Sequence, residues 1–147
     1  MIITVANKND LQEILQLQYL AYQSEAKLCG NMNIPPLTQT LEEVLQEYEK
    51  GIVLKVMDNG DIIGSVRGYI EDDTLYIGKL IVKPDKQNQG IGTKLLTEIE
   101  NVLPHQRCEL FTSSKSDRNI KLYQKIGYNI FKEKKISNTL KLLYLEK

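Results

Sequence analysis

LIVKPDKQNQGIGTKLL, residues 80–96, runs from an apolar strand-like segment through a polar turn into an amphipathic segment, with two glycines one residue apart at the junction. Glycine costs about 1 kcal/mol relative to alanine inside a helix, so Gly90 and Gly92 at a helix start call for a compensating use. The first backbone N–H groups of a helix have no intrahelical acceptor. Together with the helix dipole they favour an anion. Glycines there remove the side chains that would hold a phosphate off the backbone. The pattern is not a P-loop, which needs Gly-Lys followed by Ser or Thr where this chain has Gly92-Thr93-Lys94. It is not a dinucleotide fingerprint either, because Leu95 stands where the third glycine belongs. Taken alone, Gly-x-Gly also describes a plain strand-to-helix turn.

Working outward, Leu75 to Val82 is the last of three consecutive strands. Ile52 to Met57 and Ile62 to Ile70 are joined by Asp58-Asn59-Gly60-Asp61, in which Asn and Gly both accept positive φ. Glu71-Asp72-Asp73-Thr74 turns the chain again, giving an antiparallel meander. Upstream, Ile2 to Ala6 reads as a strand. A helix is expected from about Asn9 to Leu28, with Leu11, Ile14, Leu15, Leu17, Gln18 and Ala21 on one face. Asn31 to Gln39, containing Pro35-Pro36, is expected to be a non-helical loop. Thr40-Leu41-Glu42-Glu43 has the form of a capping box opening a helix that ends at Lys50-Gly51. Downstream, a helix from Ile91 to Val102 precedes a strand from Arg107 to Phe111. Ser116 or Asp117 can cap a helix that runs to Ile126 and is closed by Gly127. Tyr128 to Ile136 and Leu140 to Leu145 are the last two strands. The fold class is α/β of the α+β type: one mixed, mostly antiparallel sheet of about seven strands, flanked by four helices.

The 147 residues suit a single domain over 1–147, which buries roughly 70% of the surface its unfolded chain exposes. No metal or disulfide is needed to fold it. Nineteen basic and 19 acidic residues cancel, which argues against broad nucleic-acid binding. Cys29 and Cys108 lie far apart in no paired spacing, and Cys108 reads as a buried thiol. The opening MIITVANKND has neither the basic nor the long apolar region of a signal peptide, and no run reaches a membrane span. A cytoplasmic location with no membrane partner is expected.

Gln87-Asn88-Gln89-Gly90-Ile91-Gly92 resembles the Gln/Arg-x-x-Gly-x-Gly/Ala signature of the GCN5-related N-acetyltransferases. Leu80-Ile81-Val82-Lys83-Pro84 looks like that family's fourth strand and its exit. Asn119 through Tyr128 resembles its Asn-x-x-x-Tyr helix closed by Leu/Ile-Gly-Phe/Tyr. The two landmarks come in the family's order and spacing, and the resemblance covers nearly the whole chain. It implies splayed central strands, acetyl-CoA or a close acyl-CoA as donor with no metal, and a small-molecule or peptide primary amine as acceptor. Attack is then direct, in a ternary complex. The backbone of Gln87, Asn88, Gln89, Gly90, Ile91, Gly92 and Thr93 would bind the pyrophosphate, with Lys83, Lys86 or Lys115 near the outer phosphate. The pantetheine arm would pair along Leu80, Ile81 and Val82 and bond Asn119. The Leu80 N–H would polarise the thioester carbonyl, and Tyr123 would be the general acid toward the departing sulfur.

One branch of the family carries a basic Glu on the fourth strand; here that position is Tyr76. Glu25, Glu71, Asp72 and Asp73 are the alternative carboxylates, and each also suits a solvated surface. By position the acceptor would meet Tyr22, Glu25, Ile34, Arg67, Tyr69 and Tyr76. Arg67 can take a substrate carboxylate or pair with Glu71 or Asp72. His105, the only histidine, reads as a loop residue. The missing strand-four carboxylate keeps open a second reading, a non-catalytic acyl-CoA-binding module. Monomer and homodimer are both compatible with the chain.

Overall fold

The computed structural model describes residues 1–147. Seven strands form one sheet: β1 (Ile2–Val5), β2 (Ile52–Asp58), β3 (Asp61–Glu71), β4 (Thr74–Val82), β5 (Arg107–Ser113), β6 (Asn129–Lys135) and β7 (Lys141–Glu146). Their spatial order is β1-β2-β3-β4-β5-β7-β6. Only the β4–β5 contact is parallel, and it lasts just three pairs, Thr74 to Tyr76 against Arg107 to Glu109. Beyond Tyr76 the two strands diverge, so the expected splay is present.

The turns follow their residue types. Asn59 (φ 52°) and Gly60 (φ 83°) join β2 to β3, and Asp72 (φ 49°) and Asp73 (φ 62°) join β3 to β4. Both pairs have positive φ at each central position, as a two-residue hairpin loop requires.

The helices are α1 (Leu11–Ala21), α2 (Gln23–Cys29), a single turn α3 (Pro35–Thr38), α4 (Leu41–Lys50), α5 (Ile91–Val102) and α6 (Asp117–Ile126). Two expectations are corrected. The first long helix breaks at Tyr22 (φ −85°, ψ 0°), and the Gln23 amide takes up the Tyr19 carbonyl at 3.1 Å. Pro35 and Pro36 do start a helical turn, since they occupy its first two positions, where a missing N–H costs nothing. The Thr40–Glu43 capping box forms in both directions. Ser116 precedes α6 but makes no side-chain cap bond; Gly127, at φ 114°, closes that helix.

The sheet is covered on both faces. Leu95, Leu96 and Ile99 of α5 pack with Leu54, Val66, Leu75 and Ile77. Leu11, Ile14, Leu15 and Leu17 of α1 pack with Val44, Val53 and Ile62 on the other face. Gly64 and Gly68 let α5 lie close, because a Cβ at either would stand 3.1–3.3 Å from side chains of Ile91, Leu95, Leu75 or Ile99.

A tighter approach occurs at Gly51, where a Cβ would sit 2.1 Å from the Gly68 carbonyl oxygen. Gly51→Ala is therefore expected to lose about 2 kcal/mol of stability by overpacking. That corresponds to a melting temperature lower by about 5 °C. A thermal melt unchanged by the substitution would contradict this strand approach.

β4 carries an irregularity that matters for the site. Ser65 pairs with Ile81 and Arg67 with Gly78, so β4 has one extra residue in this interval. Lys79 within it has φ 51°, an uncommon conformation for a side-chain-bearing residue. Such a bulge re-aims neighbouring groups and is common beside functional sites.

Candidate active site

Beyond Val82 the chain is pinned by Lys83 N–H to the Ile63 carbonyl (2.8 Å) and by the Gln87 side-chain Nε2 to the Val82 carbonyl (3.2 Å). Arg118 at the start of α6 bonds the same Gln87 from the far side. The loop then turns through two left-handed residues, Asn88 (φ 64°) and Gly90 (φ 80°), into α5. Gly90 is the N-cap and has no side chain to cap with. The first intrahelical bond is donated by Lys94, leaving the amides of Ile91, Gly92 and Thr93 without helical acceptors. A Cβ on Gly90 would meet nothing within 4 Å, whereas one on Gly92 would touch Leu122 at 3.4 Å. Gly90 is thus required by its φ rather than by packing in the free protein.

The divergence of β4 from β5 opens a cleft of about 1110 Å³. It brings together Leu80, Ile81 and Val82, the loop residues Gln87, Asn88, Gly90, Ile91, Gly92 and Thr93, and Asn119, Tyr22 and Glu25. Gln89 is exposed and outside this wall, and Lys83 and Lys115 do not line it. Five cationic side chains, Lys27, Lys86, Arg118, Lys121 and Lys125, face only Glu25 and Asp117 among the lining acids. The neutral chain therefore holds a locally basic cleft, which the overall charge conceals. Arg118, Lys121 and Lys125 fall at the three- and four-residue spacing of one helix face, a pattern that is legible in the sequence. A smaller hollow of about 700 Å³ lies between β1, β2 and the end of α4, lined mostly by apolar side chains.

Tyr123 is 6% exposed and packs in the core beside Tyr128, with ring centroids 6.1 Å apart. Burial, and then the negative charge of Glu25, push its pKa up, so its proton is held firmly. The Tyr22 hydroxyl is raised by burial and by Glu25, Tyr123 and Glu47, against the opposing pull of Arg67. Burial raises Glu25 itself, with the Ser113 backbone pulling the other way. Tyr22 and Glu25 line the cleft, whereas Tyr123 does not; it is linked to them electrostatically from the core. Asn119 donates to the Thr112 hydroxyl at 3.3 Å. Glu71, Asp72 and Asp73 lie at the opposite end of β4, on the order of 20 Å from Leu80 by strand rise.

Arg67 does not pair with Glu71 or Asp72. It is 5% exposed and bonds Glu47 (2.9 Å), Gln18 (2.7 Å) and Gln39 (3.2 Å). Lys79 Nζ approaches the other oxygen of Glu47 at 3.4 Å. Burial works to raise Glu47, but Lys79, Arg67 and Gln39 outweigh it and hold the carboxyl below its usual range. Tyr69 and Tyr76 stack with centroids 5.2 Å apart on the next rung of the β3–β4 pair. Ile34 is 3% exposed and packs with Ala26 and Cys29, away from the cleft wall. Both cysteines are buried and free. His105 is partly buried, with Nδ1 2.7 Å from the Leu103 carbonyl.

Residues 10–128 match the Acetyltransferase (GNAT) family model. UPF0157 protein YqkA of Bacillus subtilis (strain 168) is 28% identical over 121 residues, covering 80% of this chain and 34% of that protein. The chain therefore spans about a third of the length of the curated relative it matches. The ribosomal-protein-S18-alanine N-acetyltransferase of Escherichia coli superposes with a TM-score of 0.79 at 17% identity, over 99% of this chain and 91% of that one. The yncA structure from Salmonella typhimurium, solved with its cofactor acetyl-CoA, superposes with a TM-score of 0.76 at 20% identity, over 100% and 92%.

Proposed function

The chain belongs to the acetyltransferase (GNAT) family, and from that premise we propose that it transfers an acetyl group from acetyl-CoA to a primary amine by direct attack in the cytoplasm. One observation carries the reading. A single cleft gathers an uncapped helix start, a strand edge with no neighbour, and Tyr22 and Glu25, with the charge of Glu25 acting on the buried Tyr123.

The cleft fits the donor. The free amides from Gln87 to Thr93 and the basic wall of Arg118, Lys121 and Lys125 suit a diphosphate. From Ile77 to Val82 no β5 residue pairs with β4, leaving main-chain groups that need partners. An extended amide-bearing arm satisfies them, with Asn119 opposite. Acetyl-CoA supplies the activated acetyl thioester. The Leu80 N–H, re-aimed by the bulge at Lys79, donates to the thioester carbonyl oxygen. Glu25 takes the proton of the attacking ammonium, its raised pKa making it a stronger base than an ordinary carboxylate. Tyr123 Oη gives its proton to the departing sulfur as the C–S bond breaks, and its raised pKa keeps that proton in place beforehand. The adduct nitrogen sheds its second proton to water, and the phenolate is reprotonated from water.

The test is release of free thiol from acetyl-CoA over a panel of amines. Amine-dependent release is expected. Acetyl-CoA binding with no release for any amine would replace the enzyme by an acyl-CoA-binding module.

Glu25→Gln is expected to lower kcat/KM at neutral pH by about 100-fold, the low end for a positioned base. The acidic limb of the pH profile should disappear with it. Stability moves the other way. A carboxyl whose folded pKa is raised favours folding only below its unfolded pKa and loses that contribution as pH rises through the folded value. Glu25→Gln should therefore melt above the wild type at neutral pH, and the gap should close toward pH 4. A lower melting temperature at neutral pH would contradict the buried placement of Glu25.

A further inference from the structure

The polar group under α1 and α4 has a charge imbalance that the transfer chemistry does not use. Two cations, Arg67 and Lys79, share one carboxylate, Glu47. Gln18 and Gln39 complete the group and are neutral. Glu43 acts on Lys79 only as the weakest of the influences upon it, from the exposed start of α4. An uncompensated cation in a poorly solvated place costs far more than one on the surface.

The imbalance has a direction. Nη1 and Nη2 of Arg67 are bonded, but Nε is buried and has no partner. A buried donor left unsatisfied is uncommon and costs about 1–3 kcal/mol. Nε itself is closed off, and the open space lies across the strand pair. Gly78 is the cross-strand neighbour of Arg67, and paired side chains stand about 5 Å apart at such positions. A Cβ at Gly78 would meet nothing within 4 Å. The missing side chain thus leaves a slot alongside the Arg67 stem. The Tyr69–Tyr76 stack walls it on one side, and the Lys79 bulge bounds it on the other. Gly78 and Lys79 immediately precede Leu80, Ile81 and Val82 on β4, which line the cleft, so the slot adjoins the strand edge along which the donor would lie.

Resting on the acetyl-transfer reading, we infer that the acceptor is an amine that also bears a carboxylate, bound in the slot beside Gly78 by Lys79 Nζ, with the buried Arg67 charge behind it. An acceptor carboxylate supplies the missing negative charge. Polyamines and neutral amines do not.

The experiment compares free L-amino acids with their carboxamides as acceptors, by thiol release from acetyl-CoA. Wild type, Lys79→Met and Gly78→Val are assayed, each with its acetyl-CoA Kd from titration calorimetry. The wild type should prefer acids over amides by at least about tenfold in kcat/KM, as charge-assisted hydrogen bonds require. Lys79→Met should erase most of that preference. Gly78→Val, which fills the slot, should raise KM for acids with acetyl-CoA affinity unchanged. Equal use of acids and amides, or a preference for polyamines, would overturn the inference. If no amine releases thiol, the transfer reading fails by itself. The slot is then read by thermal shift of the coenzyme A complex with the same pairs. A larger shift with acids than with amides, absent in Lys79→Met, supports the slot, and equal shifts overturn it.

Discussion

Gly90→Val is expected to weaken acetyl-CoA binding by about 100-fold or more while the protein stays folded. Position 90 has φ 80°, where a side-chain-bearing residue costs roughly 1–2 kcal/mol and a β-branched one more. The loop is exposed and can relax, but relaxing rotates the peptide planes that aim its N–H groups into the cleft. Losing one or two charge-assisted hydrogen bonds, each worth about 1.5–3 kcal/mol, gives the predicted change. A Cβ here meets only open space in the free protein, so any loss is one of binding rather than of folding. Gly90→Asn provides the control, because Asn tolerates this backbone region. It should stay within about tenfold of wild-type affinity, since the conformation rather than the mere presence of a Cβ sets the binding. Calorimetric titration reads both variants, and an unchanged Kd for the valine variant would contradict the role given to the loop.

Tyr123→Phe is expected to lower kcat by about 1000-fold, within the range of a lost general acid, with acetyl-CoA affinity held within about twofold. The ring is buried and packs on Tyr128. Phenylalanine keeps that packing and removes only the hydroxyl. Because burial and Glu25 raise the tyrosine pKa, the wild-type rate should show no loss from its ionisation up to about pH 10. An equal fall in kcat and in acetyl-CoA affinity would make Tyr123 a binding or packing residue. An unchanged kcat, with chemistry rate-limiting, would remove it from the reaction.

The readable parts of the fold were those with local chemical causes. The Thr40–Glu43 box, the Asn59-Gly60 turn, Gly127 at the end of α6 and the α5 boundaries at Ile91 and Val102 all stand where their residue types put them. The break at Tyr22 was not legible, because no glycine or proline marks it and the apolar spacing runs straight through. Pro35-Pro36 misled because proline opposes a helix interior but suits its first turn. The bulge at Lys79 is hidden for a related reason, since a lysine, not a glycine, adopts the left-handed conformation.

The cleft shows the same division. The glycine loop apart from Gln89, together with Asn119, Tyr22 and Glu25, lines it, while Tyr123 does not and Ile34 packs away from it. Arg67 sits on a strand that reads simply as alternating, and nothing local announces that Glu47 and Gln18 reach it from two different helices. Tertiary placement decides that, and it makes Arg67 a buried cation whose Nε has no partner, not a partner of Glu71 or Asp72.

The most direct measurement is an amide NMR titration of the nitrogen-15-labelled protein with acetyl-CoA. Saturable shifts should concentrate on the amides of residues 87–93, with a second group at Leu80, Ile81 and Val82 along the unpaired edge of β4. If those amides stay still while another region responds, or if none responds at saturating acetyl-CoA, the binding site and the acetyl-transfer reading are both wrong.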